Sequence, residues 1–265
     1  MSTAKYYSTT HGGSAVRYID AELSTISVES ISGKNVRDSG KFGINGTFFS
    51  GTTLTGIAVN KDPNGFSKRV AANGDTTTGV SYNGTVYPSK RGTMYYFNPS
   101  AGVSFFDTMP VKDFLDYPNS STTNVQWAIG GYSLHPKKAY ANSDAFYEDI
   151  NGKGATTKQP TSNSENAYRF SPTSATARTA IGYRYHDKKT KIVLAVFANH
   201  SAWSVRQFMA DLGCTFAIML DGGGSSQIRY KTSSGTTDFW CPKPDTGGSV
   251  RAVHSMVTVN ASQWL

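Results

Sequence analysis

Two cysteines in 265 residues, Cys214 and Cys241, cannot build a disulfide framework. Cys214 opens an apolar run, so a buried reduced thiol is the expected state, with a single Cys214–Cys241 bridge as the alternative. Charged residues make up only 17% of the chain, and there are four glutamates: Glu22, Glu29, Glu148 and Glu165. That scarcity limits which acids can serve in chemistry. Long hydrophobic runs are also missing, so no segment can cross a bilayer as a helix. The first residues, Met1-Ser2-Thr3-Ala4-Lys5-Tyr6-Tyr7, lack the apolar core of a signal peptide. The expectation is a soluble protein without signal peptide, cytoplasmic or associated with a bacteriophage virion. No His-Glu-x-x-His or comparable spacing is present, so no catalytic zinc and no required cofactor are expected. A Ca²⁺ or Mg²⁺ ion held loosely at Asp221 and carbonyl oxygens stays open.

Against these absences stand 26 glycines, 15 Tyr, 14 Phe and four Trp, among plentiful Ser, Thr and Asn. So many aromatics exclude a disordered chain, and so much Gly, Ser and Thr excludes a helical bundle. Short strands and polar loops fit better. The net charge of +8 suits an anionic partner such as an anionic glycan or a sugar phosphate. The basic residues are scattered, as at Lys137-Lys138 and Lys188-Lys189, with no arginine-rich stripe. Nucleic acid is therefore the weaker form of that idea, and a basic surface that only keeps the protein soluble is the plain alternative.

Turn signals punctuate the first half: Asp62-Pro63-Asn64-Gly65, Asn73-Gly74-Asp75 and Tyr82-Asn83-Gly84. Between them lie short apolar runs, which predicts successive hairpins. Ser24 to Val28 alternates as a half-buried strand does, and Trp127 to Tyr132 reads as a short apolar strand closed by the Gly130-Gly131 pair. Residues 141–177 are the most polar stretch and read as a surface loop that can cover a site.

The clearest pattern lies nearer the C-terminus. Lys191 to Phe197 is a continuous apolar run, hence a buried strand. Ser204 to Leu212 reads as a helix, with capping-box spacing at Ser204 and Gln207 and apolar residues at Val205, Phe208, Met209 and Leu212. Gly213 ends it as a left-handed cap, and Cys214 to Leu220 is a second buried strand. The fold class expected is α+β: a mixed β-sheet with N-terminal hairpins and a C-terminal β-α-β unit, within a single domain over 1–265.

Leu220-Asp221-Gly222-Gly223-Gly224-Ser225-Ser226 sits at the carboxyl end of that second strand, where ligand sites of such units gather. A carboxylate leaving a buried strand is costly unless it is bonded or used. Three glycines remove every Cβ beside it, so their amides and two hydroxyls can form an anion nest. Arg178, in Ala177-Arg178-Thr179-Ala180-Ile181-Gly182, offers a fork of donors to a phosphate or carboxylate, or else a structural salt bridge to an acid such as Asp221. His200 follows the first strand of the unit, at the same end as Asp221. Neither Ser225 nor Ser226 lies in a nucleophile elbow, so both read as hydrogen-bonding residues.

Taken in order, Asn45-Gly46-Thr47-Phe48-Phe49, Ile129-Gly130-Gly131, Arg178 to Gly182, Leu220 to Ser226 and a terminal Arg251 resemble the phosphodiester glycosidase family over about residues 25–265. The resemblance implies hydrolysis of a sugar-1-phosphodiester, with Asn45, Arg178, Asp221 and the glycines at the pocket. The candidate catalytic set is Asp221, Arg178 and Asn45, joined from their positions by Glu165 and His200, for which an ordinary surface role is the alternative. Thr47, Gly130, Gly131, Thr179, Gly222, Gly223, Gly224, Ser225, Ser226 and Arg251 fall to substrate binding. A bacterial or bacteriophage member acting on a cell-wall glycopolymer, such as a teichoic acid, or on a nucleotide-linked sugar is the expected setting. The alternative is a module that binds or sequesters a phosphorylated glycan or nucleotide without cleaving it. Glu148 and Glu165, in the polar stretch, are the acids that can swing over the site beside Asp221.

Overall fold

A computed structural model describes residues 1–61, 67–69, 80–82, 85–87, 90–96, 103–110, 125–151 and 174–265. Glu165 and the turn signals at 62–65 and 73–75 lie outside them. In chain order the strands are β1 (Thr3–His11), β2 (Ser14–Glu22), β3 (Ile26–Ser30), β4 (Gly43–Asn45), β5 (Phe49–Ser50), β6 (Thr53–Leu54), β7 (Ala58–Lys61), β8 (Ser67–Arg69), β9 (Val80–Tyr82), β10 (Thr85–Tyr87), β11 (Lys90–Tyr96), β12 (Val103–Pro110) and β13 (Trp127–Ser133). Helix α1 (Ser143–Asn151) precedes β14 (Thr176–His186) and β15 (Lys189–His200). Helix α2 (Ala202–Asp211) is followed by β16 (Phe216–Met219), β17 (Ile228–Lys231), β18 (Thr237–Trp240), β19 (Ser255–Val259) and β20 (Gln263–Trp264).

Two sheets dominate. The larger runs β12-β11-β13-β16-β14-β15-β2-β1-β20, with β7 and β8 joined at β13; the smaller runs β18-β17-β4-β19-β3. Among the described residues the larger sheet is mixed only through β20, which pairs parallel with β1.

Alternation along each central strand sorts the core into two layers. On β15, Ile192, Leu194 and Val196 join one cluster while Val193, Ala195 and Phe197 join another. On β16, Ile218 pairs with the first set, and Ala217 and Met219 with the second. The first cluster also takes Val28, Ile44, Ile228 and Val257 from the smaller sheet, so it fills the space between the sheets. The second takes Phe146 and Tyr147 of α1 and Val205, Phe208 and Met209 of α2, so the helices cover the other face. Burial on both faces is why these strands read as unbroken apolar runs.

Several expectations change. The helix starts at Ala202, not Ser204: Ser201 is the N-cap and its hydroxyl accepts from the Ser204 amide at 3.2 Å. Gly213 does adopt a left-handed φ of 77° after it. Strands β15 and β16 run parallel through α2, but β14 lies between them and pairs antiparallel with both. The chain starts with the long β1–β2 hairpin. Part of the expected loop at 141–177 is helix α1, because Phe146, Tyr147 and Ile150 give it one apolar face. Both cysteines are free thiols, with Cys214 buried and pushed up to about 12 by desolvation. Among the described residues no helix is long and apolar enough to cross a membrane.

Candidate active site

The glycine segment is the place where the chain changes sheet. Leu220 still belongs to the larger sheet, its amide donating to the Thr179 carbonyl at 2.8 Å. One residue later the Asp221 amide donates to the Gly46 carbonyl at 3.3 Å, at the end of β4 in the smaller sheet. Gly223–Ser225 then form one 3₁₀ turn, closed by Ser225 N–H to Gly222 O at 3.2 Å and Ser226 N–H to Gly223 O at 3.1 Å. Gly223 supplies the left-handed φ of 62° that the turn needs. Ile228 begins β17 directly afterwards.

Asn45 ties this seam together. Fully buried, it donates its Nδ2 to the Asp221 carbonyl at 2.8 Å. Its Oδ1 accepts from the Thr179 hydroxyl at 2.8 Å and from the Gln227 amide at 3.1 Å. One side chain thus joins β4, β14 and both ends of the glycine segment. Thr47 does the same toward β13: its hydroxyl donates to the Gly130 carbonyl at 2.7 Å and its amide to Ser255 Oγ at 3.0 Å. At Gly131 a Cβ would lie 2.3 Å from the Met219 carbonyl oxygen, so β13 and β16 approach this closely only with glycine there.

The Asp221 side chain is half-buried, with Oδ1 accepting from the Gly222 amide at 3.0 Å. Desolvation pushes its carboxyl up to about 6, against the Ser225 hydroxyl, that amide and the Arg251 charge, which all favour the ionised form. Burial therefore dominates, and the group titrates near neutrality without losing its charge at pH 7. The glycine amides divide unequally. Gly222 serves Asp221 itself, whereas Gly223 and Gly224 donate to no group among the described residues. The Ser226 hydroxyl is buried without a partner there.

Cations border the turn on two sides. The Arg178 stem lies against Gly222, whose Cβ would stand 3.7 Å from Arg178 Cδ. Arg178 is buried and donates Nε to the His200 carbonyl at 3.3 Å and Nη2 to the Ser174 carbonyl at 3.2 Å. Across the turn, Arg251 donates Nη2 to Asp245 Oδ1 at 2.7 Å and Nε to Asp245 Oδ2 at 3.3 Å. This pair rests on Gly224, where a Cβ would meet Asp245 Oδ1 at 2.7 Å and Arg251 Cζ at 2.9 Å. The Arg178–Asp221 salt bridge allowed by the sequence is replaced by attraction between Asp221 and Arg251.

His200 ends β15 beside Arg178, with Nε2 2.9 Å from the His11 carbonyl. Desolvation lowers its pKa, so the ring is neutral at pH 7. Asn45, Thr47, Gly130, Thr179, Arg178, His200, Asp221 to Ser226 and Arg251 thus gather around one seam. Asn45, Thr47 and Thr179 spend their side chains on holding it. Glu148 is exposed on α1 rather than carried by a loop. Sequence reasoning missed Gln227, whose buried amide accepts from the Val36 N–H at 2.8 Å and donates to the Arg251 carbonyl at 2.8 Å. It also missed Asp245, which nothing in the local sequence marks. Among the described residues no three His, Cys, Asp or Glu side chains are grouped to hold a metal ion.

The phosphodiester glycosidase family profile matches residues 39–260. The catalytic domain of zebrafish N-acetylglucosamine-1-phosphodiester alpha-N-acetylglucosaminidase, auto-inhibited by its pro-peptide, has a similar fold. Its TM-score is 0.59 at 18% identity, over 98% of this chain and 83% of that one. A Burkholderia pseudomallei protein described as exported aligns with a TM-score of 0.50 at 12% identity, over 93% of this chain and 74% of that one. No curated protein matches the sequence. The family profile spans most of the chain and runs through every element that builds the seam, and this chain belongs to the phosphodiester glycosidase family.

Proposed function

We propose that the chain is a glycoside hydrolase that cleaves sugar-1-phosphodiester bonds at the Asp221 seam. The observation that carries this reading is a carboxyl lifted to about 6 beside the unbonded amides of Gly223 and Gly224 and the Arg251 guanidinium. A base works best when its pKa lies near the working pH, and Asp221 meets that condition. The carboxylate takes a proton from water as the water oxygen bonds to the sugar C1. The C1–O bond breaks, and its electron pair leaves on the phosphate oxygen. A phosphate oxygen is a weakly basic leaving group, so it needs its charge held more than it needs protonation. One catalytic carboxylate can then serve where glycosidases commonly use two. Arg251, Arg178 and the two glycine amides hold the charge, and Asn45, Thr179 and Gln227 keep Asp221 in place. Substrates of the expected class are a cell-wall glycopolymer or a nucleotide-linked sugar.

The test is a panel of glycosyl phosphodiesters, including a methyl diester of N-acetylglucosamine 1-phosphate, the compound class in the zebrafish relative's name. Release of free sugar and a phosphomonoester in equal amounts supports the reading. Tight binding with every ligand recovered intact favours a sequestering module instead.

A further inference from the structure

The charges around the seam carry a specificity that no catalytic role requires. Among the described residues the corner holds three cations: Arg178 against Gly222, Arg251 on Gly224, and Lys243, whose Nζ donates to Thr176 Oγ1 at 3.1 Å. Two carboxylates oppose them, Asp221 within the field of Arg251 and Asp245 bonded to it. His200 is neutral. A phosphodiester brings a single negative charge to this corner. A phosphomonoester carries close to two at neutral pH and above.

Asp245 is placed to enforce that difference. Its Oδ1 lies 2.7 Å from the Cβ position of Gly224. That puts it within about 5 Å of the unbonded Gly224 amide by covalent geometry. It also engages Arg251 by the Nε and Nη2 side, which leaves the Nη1 end of the guanidinium for a ligand. We propose that Asp245 is a specificity-determining residue: it positions Arg251 over the glycine turn and, by its own charge, disfavours a phosphomonoester relative to a phosphodiester. Under the cleavage reading above, on which this inference rests, the disfavoured species is the product. Asp245 then speeds its departure.

The test is independent of catalysis. Dimethyl phosphate and methyl phosphate differ by one methyl group and one charge, and each is titrated at about pH 8. Amide chemical shifts of Gly223 and Gly224 are followed by NMR. In Asp245→Asn, methyl phosphate gains about fivefold relative to dimethyl phosphate, the effect of one unit charge at roughly 4 Å in water. Asp245→Ser gives the same relative gain if Asn perturbs the loop, and a thermal melt confirms that each variant is folded. Equal shifts in the two affinities overturn the role of Asp245 while leaving the anion corner standing. If neither probe moves the Gly223 and Gly224 amides in the wild type, the corner is not an anion site, and both readings fall.

Discussion

Replacing Asn45 by Ala removes one small buried side chain, yet besides a long contact to the Gly46 carbonyl it cuts three short hydrogen bonds at once. The Asp221 carbonyl loses its donor, while the Gln227 amide and the Thr179 hydroxyl lose their acceptor. The hydroxyl can rotate toward another acceptor; the two backbone groups cannot. An unsatisfied buried polar group costs about 1–3 kcal/mol, so the pair costs about 2–6 kcal/mol. Domain stabilities of about 5–15 kcal/mol make this a large fraction of the total. Urea unfolding followed by fluorescence should show a lower midpoint with little change in slope, since the native fold is kept. At temperatures where the variant remains folded, cleavage should fall as well, because Asp221 is no longer held from both ends of its segment. A loss of stability below about 1 kcal/mol would refute the account of Asn45 as the tie between the sheets.

Three further outcomes follow from the same geometry. Asp221 titrates higher in the fold, at about 6, than the roughly 3.9 of an unfolded chain, so its ionisation opposes folding. The Asp221 contribution to stability is fullest below about pH 4, declines as pH rises to about 6 and stays lower above. Asp221→Asn should therefore stabilise the protein at pH 7.5 by about 1–3 kcal/mol and show no gain below about pH 4, measured by paired denaturant curves. Gly224→Ala brings a methyl group against the ends of two flexible side chains, Asp245 and Arg251. Its melting temperature should stay near the wild-type value while phosphodiester binding weakens in an NMR titration. Gly131→Ala meets the Met219 backbone oxygen, which cannot step aside, and should cost about 1–3 kcal/mol or more in the same unfolding assay.

What the sequence could and could not disclose has physical reasons. The continuous run at Ile192–Phe197 is visible because both faces of β15 are buried, and Gly213 because only its left-handed φ ends α2. The insertion of β14 between β15 and β16 leaves no local trace, since strand order is decided by packing between distant segments. Helix α1 was hidden by its polar residues, although Phe146, Tyr147 and Ile150 mark its inner face. The cap went to Ser201 rather than Ser204 because spacing alone allows both. At the site, Asp221 and the glycines were legible as an unusual string after an apolar run. Asn45 was legible only through the family resemblance, which placed it at the pocket, while its bonds show it holding the seam. Asp245 acquires its meaning from Arg251 and Gly224, and only the folded chain brings those three together.

The central claim is that the ionised Asp221 carboxylate drives cleavage. The measurement that tests it most directly is the rate of sugar release by wild type and Asp221→Asn, across pH, on whichever diester of the panel responds. The account predicts a wild-type rate that climbs about tenfold per pH unit up to about pH 6 and then levels. The variant should lie lower by a factor of about 10² to 10⁴ with no bend near that pH. An Asp221→Asn protein that keeps the wild-type rate, or the same bend, would contradict it.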